Sequence, residues 1–390
     1  MAIIRIIYAA VVVITGVFVV MYVDSLSLIL FIVTLALPLF LFLLLLLARL
    51  LTRITVEPPP TLATKGQSVS MLINLKNLSF VALPSLRATI TYSGAFSSET
   101  EKTEISFPLH ALTKQTSSFD IKSDHVGVVK VTVNNIYMYD YFRLFRFKYK
   151  IKQSYEITFL PELTPVSMDI RPNTLLGVDS DVFSKSKKGD DPSEVFAIRD
   201  YVGGDKLNRI HWKLSSKTEN LMVKDYSLPI NNSISIIPEL ASENDENFLN
   251  NIDAVIETTF NISNFLCEAE IIHHICWLDP KGQRFFDEEI KDTDDMFAAM
   301  GLMLACSVDS EGGSLEFWKK DQPICSHVAY VTALQNAASL SDLGEMSYAT
   351  FYSVFKIGSE LKNAEGTAGL MQFVTVKPSN VSDSLAGIAL

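Results

Sequence analysis

Two long apolar runs lie at the start of the chain, with three residues between them. Ile6 to Tyr22 and Leu26 to Ala48 contain no charged residue and are about 17 and about 23 residues long. A helix needs about 20 apolar residues to cross the hydrocarbon core of a bilayer, whereas a cleaved signal peptide would have one shorter apolar segment. The pattern therefore predicts a transmembrane α-hairpin in residues 1–53.

The pattern changes to a strand-like alternation in residues 54–160. Short runs such as Val69–Leu75 and Val128–Val133 alternate apolar and polar positions, and Gly, Pro, Ser and Asn separate them. This pattern predicts an antiparallel β-sandwich of about seven strands. Pro58 to Pro60 predict a stiff, extended link between the second helix and this sandwich.

From residue 233 onward, strand-like runs alternate with runs of helical periodicity. The predicted strands are Ile234–Ile237, Ile271–Leu278, Ser326–Val331, Thr350–Ile357 and Gln372–Val376, and the predicted helices are Phe248–Cys267, Asp294–Cys306 and Ala337–Met346. Such alternation predicts a mostly parallel sheet covered by helices on both faces. Residues 233–390 thus form a predicted α/β domain, and residues 161–232 lead into it.

The basic residues around the hairpin predict its orientation. Arg5 precedes the first apolar run, Arg49 and Arg53 follow the second, and the loop between them contains Asp24 and no basic residue. Because basic residues concentrate on the cytoplasmic side of membrane proteins, both ends of the hairpin are predicted to be cytoplasmic. The soluble domains would then face the cytoplasm.

The charge distribution separates the α/β domain from the rest of the chain. The net charge is −11, and residues 239–321 contain 19 Asp or Glu against 5 Lys or Arg. Nucleic-acid binding requires a basic surface, so this acidic domain argues against a nucleic-acid partner. The four cysteines show no C-x-x-C spacing and are predicted to be reduced core thiols.

One block, Glu194 to Tyr226, places many charges in otherwise apolar sequence. Charges among apolar residues are tolerated when they are paired or hydrogen-bonded, so the block predicts a specific polar network. Two interpretations remain open: an ion-paired clasp that stabilises the fold, and a surface where a partner docks. The candidates for the clasp are Arg199, Asp200, Asp205 and Arg209, and those for docking are Arg209, His211 and Lys213.

The local pattern of the block predicts a turn followed by a helix. Gly203-Gly204-Asp205 forms the predicted turn, and Asp205 is a suitable N-cap for a helix over residues 206–216. Arg209 and Lys213, four residues apart, would share one face of that helix. Trp212 is predicted to be a large buried anchor.

The same block resembles a known family signature of the form R-x-Y, G-D, R-x-I-x-W and a hydrophobic-Val-basic strand. The matching residues, in this order, are Arg199-Asp200-Tyr201, Gly204-Asp205, Arg209-Ile210-His211-Trp212-Lys213 and Leu221-Met222-Val223-Lys224. Asp140 to Arg146 looks like the D-P-F-G-L-F segment of these proteins, with Tyr141 and Arg143 in place of Pro and Gly. Phe159-Leu160-Pro161 resembles their next strand. The chain thus resembles the bacterial domain-of-unknown-function family fifty-eight.

The resemblance implies a fold and a class of partner. Members of this family have a domain similar to the von Willebrand factor A fold after the signature, and they are often associated with MoxR-type AAA+ ATPases. The chain is therefore expected to be a membrane-anchored, non-enzymatic adaptor that works with such an ATPase in the assembly or maturation of a client at the cell envelope.

The implied fold often binds Mg²⁺ through a D-x-S-x-S motif after its first strand, because carboxylate and hydroxyl oxygens are suitable hard ligands. With Glu239 in the first position, Ala241 and Glu243 stand where hydroxyls are required. We therefore expect a degenerate site without bound metal. Glu239, Ser242 and Glu243 are the alternative ligand set if a metal does bind.

An enzymatic function is the second hypothesis. The region from Asp190 to His211 concentrates acidic residues and one histidine, which suits a metal-dependent or hydrolase-like enzyme. The block contains no cysteine, no G-x-S-x-G elbow and no P-loop motif. The sequence thus favours no catalytic residue and no cofactor.

Overall fold

The computed structural model describes residues 2–22, 24–94, 96, 100–169, 183–189, 191–203, 205–218, 220–229, 231–243, 246–281, 283–321, 325–334, 349–358, 366–368, 371–388 and 390. The chain divides into two structural units, Met1–Leu160 and Pro161–Leu390.

The first unit begins with two apolar helices, α1 (Ala2–Met21) and α2 (Ser25–Leu51). Both are long and apolar enough to cross a membrane. Only 6% of the most apolar stretch of α1 and 11% of that of α2 are buried. The Tyr8 hydroxyl donates a hydrogen bond to the Thr34 carbonyl, which joins the two helices. The Asp24 carboxylate accepts from the Ser25 amide and begins α2.

Nine strands in two sheets follow in the described part of this unit. They are β1 (Thr52–Val56), β2 (Leu62–Thr64), β3 (Ser68–Asn77), β4 (Leu83–Ser93), β5 (Thr100–Leu109), β6 (Lys114–Lys122), β7 (Gly127–Tyr139), β8 (Arg146–Tyr149) and β9 (Gln153–Leu160). One sheet has the order β1-β3-β6, and the other has the order β2-β9-β7-β4-β5 with β8 paired to β7. Every pairing is antiparallel except the parallel pair of β2 and β9.

The alternation along the strands builds one core between the two sheets. Ile73 and Leu75 of β3 and Val131 and Val133 of β7 belong to the same buried cluster. Successive residues of a strand point to opposite faces, so the intervening polar positions face outward. The predicted β-sandwich is present, with nine described strands instead of about seven.

The junction between helix and sandwich differs from the prediction. Helix α2 passes directly into β1 at Thr52, and Pro58 to Pro60 follow β1 instead of preceding the sandwich. Leu45 and Ala48 of α2 are buried in the sandwich core. The predicted proline link is therefore wrong. Strand β1 pairs with β3 directly after α2, and the prolines come after β1 because they cannot donate hydrogen bonds within a sheet.

The second unit contains a small sheet and a large one. The strands are β10 (Phe183–Gly189), β11 (Asp191–Asp200), β12 (Met222–Pro229), β13 (Asn231–Pro238), β14 (His273–Asp279), β15 (Arg284–Ile290), β16 (Cys325–Thr332), β17 (Ala349–Ile357), β18 (Gly366–Ala368) and β19 (Met371–Val376). The helices are α3 (Trp212–Thr218), α4 (Phe248–Glu268), α5 (Thr293–Leu304), α6 (Ser314–Asp321) and α7 (Val381–Leu385). Strands β10, β12 and β11 form the small sheet in that order.

The large sheet has the order β15-β14-β13-β16-β17-β19-β18. The five central strands are parallel to one another, namely β14, β13, β16, β17 and β19. The edge strands β15 and β18 are antiparallel to their neighbours. Helix α4 covers one face, where Ser263 contacts His273 of β14. Helix α6 covers the other face, where Leu315 and Trp318 pack with Cys276. The predicted helix Ala337–Met346 lies outside the described residues.

Candidate functional site

The charged block centres on Arg199 near the end of β11. Its Nη1 and Nη2 atoms donate to Oδ2 and Oδ1 of Asp205, both at 2.7 Å, and its Nε donates to Oδ2 of Asp225 at 3.1 Å. Asp225 lies on β12 and is buried. The hydrogen bonds that Arg199 donates to Asp205 and, to a smaller extent, to Asp225 raise the pKa of Arg199, which keeps the guanidinium charged. One side chain thus ties the turn after β11 to the neighbouring strand.

Asp205 has a different role from the predicted N-cap. Its Oδ2 accepts the Val202 amide at 2.9 Å, and its own amide donates to the Val202 carbonyl at 3.0 Å. The carboxylate therefore closes the turn that precedes it. Gly203 has no positive φ, and Gly204 lies outside the described residues.

The predicted helix over residues 206–216 is interrupted. A 3₁₀ turn covers Leu207–Arg209, Ile210 forms an isolated bridge with Val223 of β12, and α3 begins at Trp212. Ile210 and Val223 are both buried, so the chain leaves helical geometry to bring Ile210 onto β12. Arg209 and Lys213 therefore do not share one helix.

His211 begins the helix that follows the interruption. Its Nδ1 accepts the Leu214 amide at 3.2 Å, and its own amide donates to the Met222 carbonyl at 2.8 Å. In the bond with Leu214, the Nδ1 atom of His211 acts as the acceptor. Ser215 is buried beside it, donates to the His211 carbonyl at 3.0 Å and accepts the Met222 amide at 2.9 Å. The His211 backbone amide and the Ser215 side chain attach α3 to β12.

Trp212 is on the surface, which corrects the prediction that it is a buried anchor. It is 66% exposed, because α3 attaches to β12 through Ser215 and turns Trp212 away. Lys213 and Asp200 are also exposed, and Arg209 and Tyr201 are half-buried. Further exposed apolar side chains from the block are Val195, Ile198, Val202 and Leu221.

A second polar cluster lies at the carboxyl ends of β13 and β16. Glu239 follows β13 and is 3% exposed. Its Oε1 accepts the amides of Gly313 and Ser314 at 2.6 and 2.8 Å, and its Oε2 accepts the Tyr330 hydroxyl at 3.0 Å. Two of these donors belong to the N-terminal end of α6, where a negative charge is favourable.

Glycine at position 312 makes this contact possible. A Cβ atom at Gly312 would lie 2.7 Å from Cδ and 2.8 Å from Cγ of Glu239. The carboxylate is fixed by three hydrogen bonds and cannot move aside easily. The chain therefore encloses Glu239 with its own groups.

The residues after β13 do not fit a divalent metal of the kind that the resemblance implies. Glu239 already accepts three hydrogen bonds, Ala241 is buried and has no side-chain ligand, and Glu243 is exposed. The Ser242 hydroxyl is buried and accepts from Asn251 at 3.1 Å. Among the described residues, no group of three or more His, Cys, Asp or Glu side chains has metal-binding geometry.

Sequence reasoning missed several residues of these clusters. Asp225 and Ser215 are buried polar groups that complete the clasp and attach α3, and Tyr330 and Gly312 complete the environment of Glu239. Asp225 could have been found from strand alternation, because it lies two residues from the buried Val223 and so shares its face. The contacts of Tyr330 and Gly312 span more than 70 residues and left no local signal.

Comparisons with known proteins add no assignment. No protein-family model and no curated protein matches the chain. A β-glucosidase from Listeria innocua is 13% identical over 28% of this chain and 16% of its own, with a TM-score of 0.22. The CARDB domain of a Pyrococcus furiosus protein is 12% identical over 28% of this chain and 90% of that domain, with a TM-score of 0.20. A β-glucosidase from Erythrobacter marinus is 11% identical over 28% and 16%, with a TM-score of 0.21.

This chain spans 16% of the length of these β-glucosidases. Similarity at these TM-scores carries no information about its function.

Proposed function

We propose that the chain is a membrane-anchored, non-enzymatic interaction protein. The hairpin α1–α2 anchors it with both ends in the cytoplasm, and the second unit presents a docking surface to a cytosolic partner. The resemblance to family fifty-eight suggests a MoxR-type AAA+ ATPase as this partner. The ATPase and the adaptor would act together in the assembly or maturation of a client at the cell envelope.

The exposure of the two helices supports the anchor. Helices of this length and apolarity bury their surface in the core of a soluble protein, but most of the surface of α1 and α2 is uncovered in this chain. The buried apolar residues of α2 lie in its C-terminal half, at Leu41, Leu45 and Ala48. A bilayer around the remaining surface would satisfy it. The positions of Arg5 and Arg49 favour cytoplasmic ends.

The topology of the large sheet supports a von Willebrand factor A-like domain. If β13 is counted as strand 1, β14 as 2, β15 as 3, β16 as 4 and β17 as 5, the sheet order is 3-2-1-4-5, followed by β19. Strand 3 is antiparallel, and helices cover both faces. Ligands and partners of open α/β sheets meet the carboxyl ends of the parallel strands. At the carboxyl end of β13, the Glu239 carboxylate is bound by donors of the chain itself, so the proposed domain acts without a bound metal.

Trp212 is the observation that carries the proposed docking role. A 66% exposed tryptophan stands beside exposed Lys213 and close in sequence to half-buried Arg209. Tryptophan and arginine are enriched among the residues that dominate binding energy at protein interfaces. The clasp around Arg199 holds the block rigid, and this would preorganise the surface for binding.

Co-purification of the full-length protein with the ATPase tests the docking role. We expect Trp212→Ala to reduce the amount of bound ATPase at least about tenfold, as the loss of an interface hot spot does. Phe297→Ala is the matched control, because Phe297 is an exposed apolar residue of α5 outside the block. Equal binding by the wild type and Trp212→Ala would contradict the proposal, provided that the wild type binds.

Arg199→Ala separates the two interpretations of the block. It removes the hydrogen bonds to Asp205 and Asp225 and should lower the melting temperature, whereas Trp212→Ala should leave it unchanged. If Trp212→Ala also unfolds the protein, the block is structural and the docking role is wrong.

Alkaline carbonate extraction tests the anchor. The wild-type chain should remain in the membrane pellet, and protease added to the cytoplasmic side should degrade the second unit. Extraction of the chain into the supernatant would contradict the anchor, and protection from cytoplasmic protease would contradict the orientation.

A further inference from the structure

Three positive side chains form one row on the outer face of the small sandwich sheet. Arg53 of β1 pairs directly with Lys76 of β3, and Lys76 pairs directly with Lys114 of β6. Direct partners in an antiparallel sheet lie on the same face with Cβ atoms about 4.5–5.5 Å apart. Ile54 and Leu75, the neighbours in sequence, point into the core, so the row faces outward.

The row has no internal compensation in the described part of the chain. Ion pairs among the described residues of this sandwich include Arg87 with Glu104, Lys122 with Asp124, and Lys130 with Glu156. None of the three cations of the row has an ion pair among the described residues. Like charges placed directly opposite each other destabilise a sheet, so a bound external anion would relieve this repulsion.

The row also lies in a groove that offers hydrogen-bonding groups. Thr55, Asn74 and Thr116 form the next row across the same three strands and line the groove with the cations. The Thr116 hydroxyl donates to Asn74 Oδ1 at 2.7 Å, and Asn74 Nδ2 donates to the Glu57 carboxylate. The Thr55 hydroxyl and the second amide hydrogen of Asn74 are the donors that a bound group would use. Cations next to hydroxyl and amide groups suit a phosphate ester.

The groove is next to the end of the proposed membrane helix. The uncharged run of α2 ends at Ala48, and Arg49, Leu50 and Leu51 complete the helix, with Leu50 73% exposed. Arg53 follows two residues after Leu51. The headgroup layer extends roughly 5–8 Å beyond each side of the hydrocarbon core. An extended strand covers about 3.3 Å per residue, so Arg53 lies within this layer if Leu51 lies at the edge of the core.

We propose that Arg53, Lys76 and Lys114 bind the phosphate groups of anionic phospholipids at the surface of the membrane that α1 and α2 span. This site rests on the proposed membrane anchor. Charge complementarity and direct continuity with α2 identify the lipid headgroup as the occupant. Juxtamembrane basic clusters are attracted by the negative surface potential of the cytoplasmic leaflet, which agrees with the proposed orientation.

Native mass spectrometry of the full-length protein in neutral detergent tests the site. The wild type should bind phosphatidylglycerol at least about tenfold more tightly than phosphatidylcholine. The triple variant Arg53→Gln, Lys76→Gln, Lys114→Gln should lose this preference, and its melting temperature should not fall, because the variant removes the repulsion between like charges. The charge-matched control Lys102→Gln, Lys122→Gln, Lys130→Gln changes cations at the other end of the strands and should retain the preference.

The possible contrary outcomes distinguish failure of the lipid site from failure of the membrane anchor. Retained preference in the row variant, or equal loss in the control, would overturn the lipid site. Displacement of phosphatidylglycerol by millimolar inorganic phosphate would show a free-phosphate site instead and would also overturn it. A wild type that resists carbonate extraction but shows no lipid preference would refute the site alone. A wild type that carbonate extracts would refute the anchor itself.

Discussion

At the scale of single residues, Glu239 is a buried carboxylate that serves the fold. It accepts from two backbone amides at the start of α6 and from the Tyr330 hydroxyl. Glu239→Ala would leave these buried donors without an acceptor, and each orphaned group costs about 1–3 kcal/mol. We expect the free energy of unfolding to fall by about 3 kcal/mol, measured in urea by the fluorescence of buried Trp277 and Trp318.

Glu243→Ala is the control for this change. Glu243 follows the same strand but is exposed, so its removal should change the free energy of unfolding by less than about 0.5 kcal/mol. If Mg²⁺ raised the melting temperature of the wild type but not of Glu239→Ala, the conclusion that these residues do not fit a metal would be wrong.

His273 gives the second unit a predicted dependence on pH. The ring is fully buried between the Ser263 hydroxyl at 2.7 Å and the Ile271 carbonyl at 2.9 Å. Burial lowers its pKa from 6.5 to about 4. Between these values the unfolded chain binds a proton that the folded protein does not. Stability should therefore decrease as pH falls from 6.5 to 4, by about 3 kcal/mol in total.

Urea unfolding at several pH values tests this dependence. His273→Asn keeps a donor for the Ile271 carbonyl and should flatten the decrease below pH 6.5. His110→Asn replaces an exposed histidine of the sandwich and should not. His274 acts in the opposite direction, because its hydrogen bond with Asp287 raises its pKa and stabilises the fold at low pH. An unchanged acid slope in His273→Asn would refute the assignment.

Residue roles were predictable where a residue type has one common use. Arg199 and Asp205 form the ion pair that the charged block suggested. Trp212 was predicted to be buried because apolar aromatic residues usually are, but its exposure depends on how α3 meets β12. That contact is made by Ser215, and the sequence around this residue does not indicate that it is buried. Local sequence cannot specify which face a short helix presents.

At the scale of elements, periodicity was a reliable guide where an element is buried. The predicted strand Ile234–Ile237 lies within β13, and the predicted helix Phe248–Cys267 is α4 within one residue. Strand β15 was not predicted, because Asp287 to Glu289 place acidic residues in an edge strand. Edge strands tolerate charge and so lose the apolar signal.

The helix of the charged block was predicted as one element but forms two. Positions 207, 210 and 214 fit one helical face, and this periodicity suggested an uninterrupted helix. The bridge between Ile210 and Val223 overrides that preference, since burying both side chains on β12 is more favourable than one further helical turn. His211 then caps the new helix through a side chain rarely used for capping.

The attachment of α3 to β12 gives a prediction at this scale. Ser215→Ala removes the acceptor of the Met222 amide and the donor to the His211 carbonyl. We expect a loss of about 1–2 kcal/mol in the free energy of unfolding, because Ser215 is buried. Ser216→Ala, at the exposed neighbouring position, should change it by less than about 0.5 kcal/mol. Equal effects of the two variants would show that the contact does not stabilise the helix.

At the scale of the whole molecule, the hairpin and the sandwich form one structural unit. The Arg5 Nε donates to the Leu144 carbonyl at 2.9 Å, and Phe42 of α2 packs edge-on against Phe145. The sequence predicted the helices and the sandwich separately, but these contacts join residues up to 139 positions apart. The turn between β7 and β8 is thereby fixed beside the start of α1.

The proposed anchor places this turn at the membrane surface, which gives a final prediction. Tyr141 and Phe142 are each 54% exposed next to Leu144, and aromatic side chains favour the membrane–water interface. A nitroxide at Phe142→Cys, in a Cys267→Ser background in phosphatidylglycerol vesicles, should lie roughly 5–10 Å into the interface and be more accessible to oxygen than to a water-soluble nickel complex.

Leu62→Cys is the matched control, because Leu62 is also exposed but pairs with the end of β9 that adjoins Gly127 of β7, at the opposite end of the sandwich from Tyr139. Its label should be accessible to the nickel complex. If both labels were equally aqueous while the chain resists carbonate extraction, the helices would span the membrane but hold the sandwich away from its surface. Because the bond between Arg5 and Leu144 ties the turn to α1, that result would also require this bond to be absent in the bilayer.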